Sequence, residues 1–342
     1  MRLQMVFVSL ASIIIILAGI KAASAIIVPF LLATFIAIIL SPVIELLEKI
    51  KIPRVISFIF VTICFMLVLA VIGNIAVTTM FDFLHQLPEL MKKFEALLVY
   101  WSEKLTTTEF SEFINFDPAF VGINTSGIVA TSSSLLKKTS SIMTMWFFVL
   151  LLVAFMLFES PIIKEKVAYM DTKSTSAKIY VHMFIKNLKQ YLLVKTIISI
   201  STGVFIGLCL WRLGTPYALL WGIVAFILNY IPTIGSIVAA IPAVFVSLLT
   251  GDMIDTFWVI MIYIMTNTIF GTILEPRLVG EELGISTITV LFSLLLWGYV
   301  LGLGGLFLAV PLTMSVQIAL KINPKTEYLA VLLSNKVEKR VN

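Results

Sequence analysis

Apolar residues dominate this chain in long unbroken blocks rather than at alternating positions, and the blocks set the expected elements. Runs at 3–20, 22–44, 55–80, 141–158, 192–213, 217–249, 254–274 and 286–320 are apolar almost throughout. Crossing roughly 30 Å of hydrocarbon takes about 20 helical residues, and open β edges do not survive there, so each run is expected to be helical. The runs 217–249 and 286–320 are too long for one ordinary span, and small residues or proline interrupt both in the middle. The pattern predicts an all-α polytopic membrane protein with about eight hydrophobic segments. Two of them are read as broken or re-entrant helical hairpins.

Between the runs the character changes. Segment 81–140 mixes polar and apolar residues at helical spacing from Phe81 to Phe94, then turns Ser- and Thr-rich around 125–134. It reads as a helical region at or above the outer surface, either a gate cover or assembly element, or a linker. Segment 160–190 reads as an amphipathic cytoplasmic helix that anionic lipids would hold through its lysines. The expected organisation is N-terminal transmembrane helices over 1–80, the extracytoplasmic region 81–140, and a transmembrane helix plus cytoplasmic helix over 141–191. A transport core over 192–322 and a cytoplasmic tail over 323–342 follow.

Composition agrees with the pattern: of 342 residues, 60% are hydrophobic and 13% charged, where soluble domains carry about 25% charged residues. The net charge of +5 does not point to nucleic acid, because the cations flank apolar runs and set orientation instead. Lys49, Lys51 and Arg54 form one cluster, the lysines from Lys164 to Lys195 a second, and Lys321, Lys325, Lys336, Lys339 and Arg340 a third. Placing all three in the cytoplasm gives a consistent multi-pass path with both termini inside. Arg212 is the dissenter, at an outer helix end from which it can snorkel. Cys64 and Cys209 both lie in apolar runs and form no disulfide framework or zinc pattern.

The two overlong runs echo one another. Ile234-Gly235-Ser236-Ile237-Val238-Ala239-Ala240-Ile241-Pro242 matches Leu303-Gly304-Gly305-Leu306-Phe307-Leu308-Ala309-Val310-Pro311 at a constant offset. Gly235 pairs with Gly304, Ala240 with Ala309, and Pro242 with Pro311. Each motif follows a helix of about 14 residues, about 21 Å long, so each run is a pair of short spans or a hairpin with its tip in the membrane. One hairpin then opens outward and the other inward, an inverted repeat of the kind that builds alternating-access transporters.

Polar groups inside the runs are the site candidates, because charge and unpaired polarity are expensive in hydrocarbon. In Asn229-Tyr230-Ile231-Pro232-Thr233-Ile234-Gly235-Ser236, an amide sits where proline removes a backbone donor and frees a carbonyl. Unwound backbone there suits a solute or a sodium ion. Asn229, Pro232, Thr233, Gly235 and Ser236, with Asn267 and Thr268 one helix away, are therefore expected along the substrate or ion pathway. Trp297, Gly304 and Gly305 are expected there from the second hairpin. Glu275, Pro276 and Arg277 end the helix between the hairpins and are assigned to gating or coupling, Glu275 and Arg277 pairing with each other or with a neighbouring helix. Gly280 and Gly284 give the following loop freedom to move. No mid-membrane carboxylate relay for protons is visible.

No enzyme is read. There is no phosphate-binding glycine loop with its lysine, and His85 and His182 fall on opposite sides of the expected topology, so neither a catalytic pair nor a metal site is predicted. No cofactor is expected.

Taken with Val28-Pro29-Phe30, Ser41-Pro42 and Pro53-Arg54, the Asn229–Ser236 run, Ala239-Ala240-Ile241-Pro242, Leu274-Glu275-Pro276-Arg277 and Leu308-Ala309-Val310-Pro311-Leu312-Thr313 resemble the autoinducer-2 exporter family of permeases. The resemblance covers nearly the whole chain and is weakest over 81–140. It implies an inner-membrane protein that assembles as a homo-oligomer, a pentamer being one form, with its polar motif on Asn229, Pro232, Gly235, Glu275, Pro276 and Arg277. It also implies secondary or facilitated export of a small polar solute, the quorum-sensing signal autoinducer-2 first. Sodium(potassium)/proton antiport is the alternative it leaves open, and a membrane scaffold acting through 81–140 is the third reading.

Overall fold

The computed structural model describes residues 2–106, 145–160, 175–279, 285–322 and 326–335, and every element among them is helical. The elements are α1 (Arg2–Ala22), α2 (Ser24–Lys49), α3 (Arg54–Thr106), α4 (Met145–Ser160), α5 (Thr175–Leu213), α6 (Ala218–Leu228), α7 (Ile234–Thr250) and α8 (Met253–Thr266). A π-helical segment, Asn267–Leu274, continues α8 directly into α9 (Glu275–Val279), and α10 (Thr287–Ile322) and α11 (Glu327–Leu332) follow. Among the described residues, five stretches are long and apolar enough to cross a membrane. Large apolar side chains such as Ile15, Ile26, Leu67, Leu208 and Leu295 stand fully outward, as lipid-facing helices require. The Ser/Thr-rich stretch 125–134, the glycine loop 280–284 and the lysines at 164–173 and 336–340 lie outside the described residues.

Three boundaries differ from the expectation. The break near Lys21 falls at Ala23 and is a bend, not a reversal. Ala23 donates to the Gly19 carbonyl and accepts from Ile27, so the hydrogen-bond ladder runs through the junction, and one residue at φ −90°, ψ 7° cannot turn a chain back. Helix α3 does not stop at the membrane surface but runs unbroken for 53 residues through Pro88. Leu87, Leu90, Met91, Phe94 and Leu97 recur at helical spacing, and Leu90, Phe94 and Leu97 join the core of α6 and α7. Finally, the cytoplasmic amphipathic helix is, from Thr175 on, the first half of α5, since nothing between 175 and 202 breaks a helix.

The core is built on α5. Gly203 and Gly207, one turn apart, face Gly222 of α6, and a Cβ at Gly203 or Gly222 would strike the other's backbone carbonyl. Small residues at this spacing let two membrane helices approach to backbone contact. The α6–α7 unit is a hairpin, because α6 has only 11 residues, about 16 Å of helix, too short to cross. Its base is braced by α3, with Phe83 edge-on to Tyr217 and Trp221 and Phe94 against Phe245.

Helix α10 is also two helices, broken at Gly302 with φ 65°, ψ −147°. The second half folds back on the first: Leu306 lies against Gly298, and the Trp297 indole donates to Thr313 at 3.0 Å. Helix α11 closes the base of this hairpin, where Ser286 donates its N–H to the Leu333 carbonyl and Gln317 its amide to that of Ala330. Helix α8 starts beside the base of the first hairpin and α9 ends near the base of the second. The two bases therefore sit at opposite ends of the α8–α9 run.

Candidate functional site

The tip of the first hairpin follows from its residues. Helix α6 ends at Asn229; Pro232 has no N–H to continue a ladder, and the chain turns at Thr233, φ 62°, ψ −55°. The Ile234 N–H closes that turn on the Pro232 carbonyl at 2.6 Å. This is the rare γ-turn of positive φ, strained for any side chain and more so for a β-branched one. Such strain persists only where the surroundings hold it, and it gathers at functional sites. Gly235 then packs on the Leu228 carbonyl, where a Cβ would overlap the backbone.

The second tip repeats this contact one residue away from the expected register. A Cβ on Gly305, not Gly304, would overlap a backbone carbonyl of the preceding helix, that of Trp297. Gly304 faces outward from its hairpin and receives Val28 of α2, so the matched sequence positions do not do matched jobs. The tips meet: Ile231 packs in one cluster with Leu294, Ala309, Leu306 and Phe307, and the Tyr230 and Phe307 rings lie 6.5 Å apart.

A polar stripe on α5 runs past this junction. Lys195, Ser199 and Thr202 recur at the spacing of one helix face and are buried. The Asn229 amide donates to Ser199 Oγ at 3.0 Å, and the Tyr230 hydroxyl to Thr196 Oγ1 at 2.9 Å. Lys195 is 2% exposed, and its ammonium lies 2.6 Å from a Glu275 carboxylate oxygen. Glu275 thus pairs across to α5 rather than with Arg277, which is exposed on α9 with Pro276.

Above the ion pair is a small cavity lined by Thr202, Asn229, Ser236, Tyr263, Thr266, Asn267 and Gly271, with Ile206, Ala225 and Ala239. Its volume of about 10 Å³ holds about one water molecule. The Thr202 and Tyr263 hydroxyls have no hydrogen-bond partner although both side chains are buried. Buried polar groups are paired in nearly all native structures, and here two unpaired hydroxyls face one cavity. The lining carries hydroxyls and amides and no charge, which suits a neutral or weakly polar guest.

Of the residues expected on the pathway, Asn229, Ser236 and Asn267 meet at this cavity, with Pro232, Thr233 and Gly235 shaping the tip beside it. Thr268 instead points outward and bonds back to the Ile264 carbonyl. Trp297, Gly304 and Gly305 shape the second hairpin and do not line the cavity. Lys195, Ser199, Thr202 and Tyr263 belong to the site and were not singled out from sequence. Among the described residues no three His, Cys, Asp or Glu side chains gather in a way that would hold a metal ion.

Comparison with known proteins places this geometry in a family. The model described as AI-2E family transporter matches residues 10–325. The chain is 36% identical over 337 residues to the AI-2 transport protein TqsA of Escherichia coli (strain K12), covering 96% of this chain and 95% of that protein. A Haemophilus influenzae protein provisionally named a transport protein is 35% identical over 346 residues, covering 98% and 97%. YhhT of Escherichia coli, likewise provisionally named for transport, is 31% identical over 332 residues.

Proposed function

The chain belongs to the AI-2E family of transporters, and from that premise we propose that it exports a small polar solute, autoinducer-2 first, by secondary or facilitated transport through the cavity that its first hairpin forms with α5 and the α8–π run. The observation that carries this reading is the charge-free cavity with two unpaired buried hydroxyls at the tip of a strained hairpin. A cavity of about 10 Å³ is closed to any solute larger than water, so transport requires the first hairpin to part from α5 and the α8–π run. Two hairpins with bases at opposite ends and touching tips supply one moving element for each side, as alternating access needs.

In this reading the pathway residues are Asn229, Ser236 and Asn267 with Thr202 and Tyr263, while Pro232, Thr233 and Gly235 hold the tip. The lysine-rich ends of α2 and α5 face the cytoplasm of a bacterial inner membrane and meet anionic headgroups there. Several copies assemble together. The name of TqsA supports autoinducer-2 as the first solute to test, and the hydroxyl and amide lining supports a solute of that polarity.

One alternative has observations of its own. A water-sized cavity with neutral oxygen ligands and an ion pair beside it also suit sodium(potassium)/proton exchange. Purified full-length protein in sealed vesicles separates the two. Protein-dependent movement of labelled autoinducer-2 is expected, with no change in internal pH when sodium is added. A sodium-dependent pH change without autoinducer-2 flux would replace the export reading with exchange.

A further inference from the structure

The Lys195–Glu275 pair has a setting that simple anchoring does not require. It lies beside the cavity without lining it, one helical turn along α5 from Ser199, whose hydroxyl receives the Asn229 amide. Lys195 is buried with no other acid paired to it among the described ion pairs. Its partner stands at the end of the π-helical segment, and the Glu275 N–H closes that segment on the Phe270 carbonyl. The same segment starts at Asn267 and contains Gly271, both of which line the cavity. One irregular helical stretch therefore touches the guest site at one end and the ion pair at the other.

A π segment carries a surplus residue relative to an α-helix and is found mostly at functional sites. If the surplus moves along the helix by a turn, the residues between are displaced by one position, about 100° of rotation and about 1.5 Å of rise. Such a step takes the Glu275 carboxylate off Lys195, and the same step turns Asn267 and Gly271 relative to the cavity. An ion pair suits a two-state latch because its attraction falls steeply once low-dielectric contact is lost.

We infer that the Lys195–Glu275 ion pair is a latch that holds the cavity closed to the cytoplasm, released and re-formed in each transport cycle by register change in the π segment. The inference rests on the transport reading but concerns which residues control access, whatever the solute is.

The test reads access rather than flux. In full-length protein with Cys64 and Cys209 changed to serine, Ser236→Cys places a thiol on the cavity wall. Reconstituted vesicles are treated with a membrane-impermeant maleimide on the cytoplasmic side. Labelling is expected to be slow with the pair intact. It is expected to rise on the order of tenfold in Lys195→Met/Glu275→Leu, which removes the latch and leaves no orphaned charge to disturb folding. The charge-reversed double variant Lys195→Glu/Glu275→Lys, which keeps the attraction, is expected to label slowly again. Slow labelling in the apolar double variant, or fast labelling in the reversed one, overturns the latch. Absent autoinducer-2 flux with labelling as expected removes the solute assignment and leaves the latch standing.

Discussion

Replacing Gly235 with alanine is expected to unfold the first hairpin and abolish transport. The Cβ would overlap the Leu228 carbonyl, and a backbone carbonyl in a helix end cannot move aside as a flexible side chain can. Relief requires the γ-turn at Thr233 to open, which separates α7 from α6 and takes Ser236 away from Asn229. Overpacking at a well-filled site costs about 1–3 kcal/mol and sometimes more, and with no side chain to yield the upper end is expected here. Thermal unfolding of the purified protein should drop by several degrees, and flux should fall to the empty-vesicle level. Gly305→Ala, set against the Trp297 carbonyl, should behave alike. Gly73→Ala is the control: a Cβ there meets nothing within 4 Å, and alanine favours a helix by about 1 kcal/mol over glycine. A Gly235→Ala protein that melts and transports like the parent would mean the hairpin tip is not as described.

Replacing Asn229 with leucine has the next largest effect, and its signature is different. Asn229 is buried and its amide serves Ser199, so leucine keeps the branched shape, in a somewhat bulkier form, but leaves a buried hydroxyl without its donor. That loss is about 1–3 kcal/mol, which the protein is expected to survive folded. The cavity loses the amide nearest the hairpin tip, and flux is expected to fall by at least about tenfold, the equivalent of one lost hydrogen bond of about 1.4 kcal/mol to the moving solute. Asn229→Leu/Ser199→Ala should recover stability, because neither partner is then left unpaired, and should not recover flux. Recovery of both would make Asn229 a packing residue only.

Much of this was legible in the chain. The helices, both hairpins and the tip residues Asn229 to Ser236 follow from run length, proline and glycine, because those act locally on the backbone. What sequence reading missed depends on which face of a helix is covered. Lys195 counts as one more lysine in a cytoplasmic cluster until α5 is seen to start at Thr175 and carry it into the core. Its spacing to Ser199 and Thr202 was a readable signal, a polar stripe on an otherwise apolar helix, as was the Gly203 and Gly207 pair that docks Gly222. The register of the hairpin echo could not be read, because Gly304 and Gly305 are adjacent and only the position of Val28 separates their roles. The fusion of the 55–80 span with the helical stretch from Phe81 into one helix was hidden for a similar reason: the contacts of Leu90 and Phe94 with α6 and α7 hold α3 straight beyond the apolar block. The bend at Ala23 carries no composition signal, since the residues on either side are good helix formers.

The central claim is that the solute sits between Asn229 on the first hairpin and the π segment of the following helix. A structure of the full-length protein determined with autoinducer-2 tests this most directly. The account predicts an enlarged cavity with solute density against Asn229, Thr202, Tyr263 and Asn267, and both orphaned hydroxyls bonded to it. Solute density elsewhere, with this cavity still closed and its two hydroxyls unpaired, would contradict it.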